Sequence, residues 1–289
     1  MDWLLGGLFD WIKQGLIDAI LARFANLYDT INAEVGNIAV NVGQTPAGWN
    51  PAIYNMIRTL SETAVIPIAG MILTFVLCYE LIQLIIEKNN MVEFDVFNIY
   101  KWIFKTFCAV YILTHTFDIV MGVFTLAQNV VNTSAGVITG SLDIGAEAAL
   151  ANLEALLWEM GVWELIGLWL ETFIVNLCLT IMTIVIFIII FGRMIEIYLT
   201  VSVAPIPFAT MVNREWGQIG NNYLKSLFAL AFQGFLIMVC VAIYAALVQD
   251  IPNAANVHAA IWGTAGYTVL LCFALFKTGS LAKSVFSAH

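Results

Sequence analysis

Arg193-Met-Ile-Glu-Ile-Tyr-Leu-Thr-Val-Ser-Val-Ala-Pro-Ile-Pro-Phe-Ala-Thr-Met211 decides how this chain is read. The run is apolar enough for a bilayer, yet it carries Glu196 near its start and Pro205 and Pro207 near its end. Each proline removes a backbone donor and crowds the preceding helical turn. Such a break is stable at membrane depth only where protein or water satisfies the freed backbone groups. Arg193 stands at one end, Arg214 and Lys225 beyond the other. That distribution has the run enter and leave on the same side of the membrane. The other reading is an ordinary proline-kinked spanning helix, because prolines are tolerated there.

The rest of the chain makes the membrane setting plain. Of 289 residues, 61% are hydrophobic and only 11% charged, with a mean hydropathy of +0.90. Average proteins carry about 25% charged residues, so this is an all-α polytopic membrane protein. A net charge of −9 argues against a basic surface for nucleic acid. Cys78, Cys108, Cys178, Cys240 and Cys272 all fall inside apolar runs and read as small buried hydrophobes. Asp2, with no basic region and no small-residue cleavage site after it, argues against a cleavable signal peptide.

Five segments approach the roughly 20 apolar residues that a spanning helix needs: residues 63–86, 103–124, 173–191, 227–249 and 260–276. The third is the least ambiguous, containing Ile-Val-Ile-Phe-Ile-Ile-Ile. The last is diluted by Gly263, Thr264 and Gly266, small residues that suit close helix contact. Basic residues set the orientation. With the N-terminus outside, five spans place Lys88, Lys101, Lys105, Arg193, Arg214, Lys225, Lys277 and Lys283 on the cytoplasmic side. Counting 194–212 as a sixth span spoils that agreement. The expected organisation is an external amphipathic segment over 1–61 and a transmembrane domain over 62–289. Within the latter, 125–172 is an external acidic helical loop, and 193–225 a re-entrant segment or cytoplasmic-side hairpin.

Leu16, Ile20 and Phe24 recur at helical spacing within 1–35, opposite Asp10, Gln14 and Asp18, the pattern of an amphipathic helix. Such a helix lies in the interface plane, packs on another subunit, or covers its own bundle. Asn50-Pro51 reads as an N-cap and first helical position. Residues 129–140 read as a polar loop and 146–160 as helix. In that helix Leu153 and Leu157 share one side and Trp158 suits a membrane interface. A helix this apolar does not stay in water, so Leu153, Leu157 and Trp158 are candidate contacts between subunits, with lipid as the other option.

Catalytic motifs, cofactor fingerprints and metal-ligand clusters are absent from the sequence, so it does not read as an enzyme. Ionisable groups within spans are costly and usually face an interior or a cavity. The candidates are Glu80, His115 and Asp118. His115 and Asp118, three apart, share a helix face and form either a proton relay or a pair that reaches water at the end of span two. Glu196 can pair with a basic group.

The motif Gly192-Arg-Met-Ile-Glu-Ile-Tyr-Leu-Thr-Val-Ser-Val-Ala-Pro-Ile-Pro-Phe-Ala-Thr-Met, followed by Asn222-Tyr-Leu-Lys-Ser-Leu, resembles the TrbL-type membrane component of conjugative type IV secretion systems, in the version found on Gram-positive mobile elements. The resemblance covers most of the chain by topology and residues 192–230 by motif. It implies a multi-pass subunit of the cytoplasmic membrane that forms a homo-oligomer with other secretion subunits nearby. Such an assembly is a channel or scaffold through which a DNA–protein substrate passes in transit. Arg193, Glu196, Pro205, Pro207 and Arg214 are the candidate gating segment. A secondary transporter or ion channel also uses broken helices and buried carboxylates, and is the alternative reading.

Overall fold

The computed structural model describes residues 2–87, 96–139, 146–249 and 256–288. Lys88, Asp143 and Asp250 lie outside them. Every element among the described residues is helical: α1 (Asp2–Val42), α2 (Pro46–Trp49), α3 (Pro51–Leu60), a π turn (Ser61–Val65), α4 (Ile66–Glu87), α5 (Val96–Thr114), α6 (Thr116–Thr139), α7 (Ala146–Glu159), α8 (Val162–Ser202), α9 (Pro205–Thr210), α10 (Gly217–Gln249) and α11 (Val257–Val285). Four helical stretches are long and apolar enough to cross a membrane: Pro51–Ile86, Val162–Ser202, Gly217–Gln249 and Val257–Val285. A fifth span results if α5 and α6 count as one broken helix, bent by 67°. The chain is therefore an all-α polytopic membrane protein.

That bend falls inside 103–124, the second span read from the sequence. Its cause is local. The Thr114 hydroxyl donates to the carbonyls of Val110 and Tyr111 at 3.0 Å, and the Thr116 hydroxyl to those of Ile112 and Leu113 at 2.8 and 2.9 Å. Hydroxyls that bond back onto the preceding turn compete with the helical ladder and bend it. Beyond the bend, α6 continues to Thr139, so the polar stretch from Asn129 is helix and not loop as far as the described residues go. Packing overrides its weak helix propensity, with Val131 fully buried.

At the start of the first span the expectation holds in detail. The Asn50 side chain accepts from the backbone N–H groups of Ala52 and Ile53 at 3.1 and 3.0 Å, and Pro51 takes the first helical position. The π turn at Ser61–Val65 ends two residues before Pro67. A proline inside a helix leaves its i−4 carbonyl unpaired and crowds it, and the wider π turn accommodates the fault without ending the helix.

The chain divides into two compact units. One comprises residues 1–43, 131–190 and 235–278. In it α1 buries Ile17, Ile20, Phe24, Tyr28, Ile31, Ile38 and Val42, a stripe at helical spacing. Lys13 Nζ donates to the Trp158 carbonyl at 2.8 Å. Arg23 Nη1 donates to the Trp169 carbonyl at 3.1 Å and to Thr172 Oγ1 at 3.3 Å. Thr183 Oγ1 donates to Glu34 at 3.3 Å. The partners rise together along both stretches, so α1 runs parallel to α7 and α8 and extends past the 1–35 limit read from its polar face. His258 Nδ1 and Glu171 lie 2.9 Å apart.

The other unit comprises residues 44–130, 191–234 and 279–289. Its larger core joins Phe117, Val120 and Phe124 of α6 to Met194, Ile197 and Val201 of α8 and to Leu227, Leu230 and Ala231 of α10. A smaller cluster brings Ala69, Leu73 and Leu77 of α4 against Ala109 and Leu113 of α5 and Ala209 of α9. The five cysteines are free. None is buried, and Cys78 is exposed. They stand on apolar helix surfaces instead of in the core, where a thiol is as well tolerated as a methyl group.

Candidate functional site

The candidate gating segment is the reversal of a helical hairpin. Residues 193–202 are the end of α8, which runs unbroken to Ser202. Pro205 occupies the first position of α9, where its missing N–H would be unpaired anyway. Asn213 is buried, and its side chain accepts from the N–H groups of Glu215 and Trp216 at 2.7 and 3.4 Å, ordering the turn that leads into α10. Tyr223 Oη donates to the Thr200 carbonyl at 2.9 Å, and Arg193 Nη2 reaches the Ala231 carbonyl at 3.5 Å. One partner number rises as the other falls, so α8 and α10 are antiparallel here. Gly220 permits the close approach of α10 to α9: a Cβ built on it would lie 2.5 Å from the Pro207 carbonyl oxygen.

Arg193 is the unusual member. It is 4% exposed, its Nε has no hydrogen-bond partner among the described residues, and its Nη2 is 3.5 Å from the Ala231 carbonyl oxygen, the long limit of a bond. The guanidinium lies against Gly234, where a Cβ would come within 2.8 Å of Nη2. A charge held this way is costly at membrane depth; among the described residues it has no ion-pair partner, and it is held by packing. Glu196, three residues on, pairs instead with Lys283 at 3.6 Å, both side chains half-exposed. Arg214 is exposed on the turn. Trp216 stacks on Phe75 and Tyr79 at 5.6 and 5.5 Å. Glu215 accepts from Tyr79 Oη at 3.4 Å and Gln83 Nε2 at 3.2 Å. The hairpin turn is thus fixed to α4, a contact the sequence did not disclose.

The other candidates go to separate partners. Lys105 donates to Glu80. Asp118 pairs with Arg58 at 3.4 Å, and Arg58 also bonds Glu62 at 2.8 Å. His115 stacks on Tyr111 with ring centres 4.3 Å apart, its Nδ1 3.0 Å from the Tyr111 carbonyl. His115 at the bend and Asp118 beyond it have different partners in the structure. Leu157 is fully buried, which removes it from the candidate subunit contacts. Leu153 is half-buried, and Trp158 is exposed.

Long apolar helices and a hairpin break define a multi-pass membrane component. The family model for TrbL/VirB6 plasmid conjugal transfer like protein matches residues 31–205, more than half the chain. The chain belongs to this family, whose members associate with other membrane components of conjugal transfer systems. The match begins inside α1 and ends at Pro205, the first residue of α9. Curated proteins give no match, and neither do solved structures.

Proposed function

We propose that this protein is a structural subunit of a conjugative type IV secretion system in the cytoplasmic membrane, not an enzyme. It assembles as a homo-oligomer and serves as a channel or scaffold through which a DNA–protein substrate leaves the cell. The family match over residues 31–205 carries the reading. The geometry agrees with it: Phe173, Leu177, Ile181, Ile184 and Ile188 of α8 present large exposed apolar side chains, as lipid or neighbouring subunits require. A transporter that relays protons through buried carboxylates is less well supported, because Glu80, Asp118 and Glu196 are each held in an ion pair.

Deletion of the chain in a conjugative donor, with complementation in trans, tests the role. Transfer should fall by orders of magnitude, while nicking of the transfer origin in the cytoplasm continues. Unchanged transfer would sink the proposal. Formaldehyde crosslinking of exiting DNA to the chain separates a passage-lining subunit, which is captured, from a scaffold, which is not.

A further inference from the structure

Arg23 of α1, half-buried, is pinned from one side and open on the other. Its guanidinium lies over the Trp169 ring, with Cζ 4.3 Å from the ring centre. Nη1 donates to the Trp169 carbonyl at 3.1 Å and to Thr172 Oγ1 at 3.3 Å. Among the described residues, Nε and Nη2 have no acceptor, and no carboxylate pairs with the charge. Glu171, beside Thr172 in the chain, is engaged by His258 at 2.9 Å. An arginine fixed in this way keeps three N–H donors, in a planar fork that matches two oxygens of one anion.

Arg23 lines a cleft together with Asn26 of α1, Thr172, Val175 and Asn176 of α8, and Ile261 of α11, all within one unit. The Thr172 hydroxyl already donates to the Trp169 carbonyl at 2.7 Å. The Asn26 amide oxygen accepts from Thr30 at 3.3 Å. The amide NH₂ groups of Asn26 and Asn176 have no acceptor among the described residues, and both side chains are exposed. No acidic side chain lines the cleft. It therefore gathers one positive charge and further donors from two helices, with no counter-charge of its own. Its volume of about 30 Å³ is at least twice the roughly 10–15 Å³ that one water needs. The oxygens of one small group fit inside, and the rest of a larger molecule stays outside.

We propose that this cleft binds the phosphate of a phospholipid headgroup. Basic pockets between membrane helices hold lipid head groups, and a planar guanidinium edge suits phosphate. The depth is right. Thr172 and Asn176 stand at the start of the apolar run 173–191, where hydrocarbon gives way to head groups, and Trp163 and Trp169 nearby are residues of that interface. Nε and Nη2 of Arg23 take two phosphate oxygens, and the amides of Asn26 and Asn176 take the remaining oxygens of the headgroup. The acyl chains then run along Phe173, Leu177 and Ile181, which are exposed on α8. Free phosphate offers the same oxygens, but the apolar Val175 and Ile261 in the cleft wall favour the lipid. The site goes beyond the proposed secretion role and does not depend on it.

The test uses the full-length chain, purified in dodecyl maltoside and stripped of lipid. Binding is read as the rise in Tm on titration with dihexanoyl-phosphatidylglycerol, with inorganic phosphate, and with dihexanoylglycerol, which lacks the phosphate. Phosphatidylglycerol should stabilise the wild type and dihexanoylglycerol should not. Arg23→Gln should raise the midpoint concentration by about tenfold or more, as loss of a hydrogen-bonded charge does. Lys13→Gln removes the same charge from the same helix outside the cleft, and should leave the midpoint unchanged. Asn176→Leu, at an exposed position, should also raise it, and decides the matter if Arg23→Gln fails to fold. Stabilisation by inorganic phosphate at the same midpoint would give the cleft to the free ion and overturn the lipid assignment. Equal midpoints in the wild type and in the folded cleft variants, or equal stabilisation by dihexanoylglycerol, would overturn the phosphate site itself.

Discussion

Arg193 and Gly234 illustrate how one residue's size is set by another's bulk. A Cβ on Gly234 would meet the guanidinium at 2.8–3.2 Å, and Arg193 is too buried to swing aside. Gly234→Ala should therefore destabilise the protein by about 1–3 kcal/mol, as overpacking does, read as a lower Tm in detergent. In an Arg193→Ala background the same change should be nearly neutral, because the three nearest atoms all belong to Arg193. A double-mutant cycle gives the coupling directly, and additive effects would contradict the packing account. Little of this was legible in sequence. Arg193 read as an end marker for a membrane segment, and nothing near it in the chain indicated a glycine in α10 as its partner. The Asn50-Pro51 cap, by contrast, was legible because donor and acceptor lie within three residues.

The hairpin is the element on which the fold turns, and its prolines and glycines do different work. Pro205 and Pro207 end α8 by withholding backbone donors; Gly220 lets α10 return closely past the Pro207 carbonyl. Gly220→Ala should lower Tm clearly, since a backbone carbonyl cannot yield as a side chain can, while Gly217→Ala, whose nearest atom is 3.4 Å away, should be mild. Equal effects would refute the close-approach argument. Changing both prolines to Ala should let α8 continue through a stretch long enough to span and carry Arg214 and Lys225 toward the wrong side. We expect transfer to be lost and thiol labelling at Ser287 to become mixed; normal transfer with unchanged labelling would show that the turn does not depend on the prolines. Hydropathy located this break because proline is visible in a sequence. It missed the 67° bend at residue 115, which depends on rotamers of Thr114 and Thr116 that composition does not specify.

For the whole molecule, the helical class and the membrane setting were legible at once, because both are averages over many residues. The ion pairs were not: Glu80 with Lys105, Arg58 with Asp118 and Glu196 with Lys283 join different helices and exist only once those helices pack. Orientation rests on the distribution of basic residues and is testable by cysteine accessibility. Asn213 is buried, so exposed Gln218 at the start of α10 is the better position. Labels at Gln218 and Ser287 should require permeabilised cells, and a label at Asn132 should not; labelling of Gln218 in intact cells would reverse the assignment.

Helix α8 has 41 residues without interruption, which at 1.5 Å per residue is about 60 Å, twice the roughly 30 Å of hydrocarbon in a bilayer. Tilts of up to about 40° do not bring that length inside. The helix is longer than the hydrocarbon layer is thick, and over residues 169–183 α1 runs beside it.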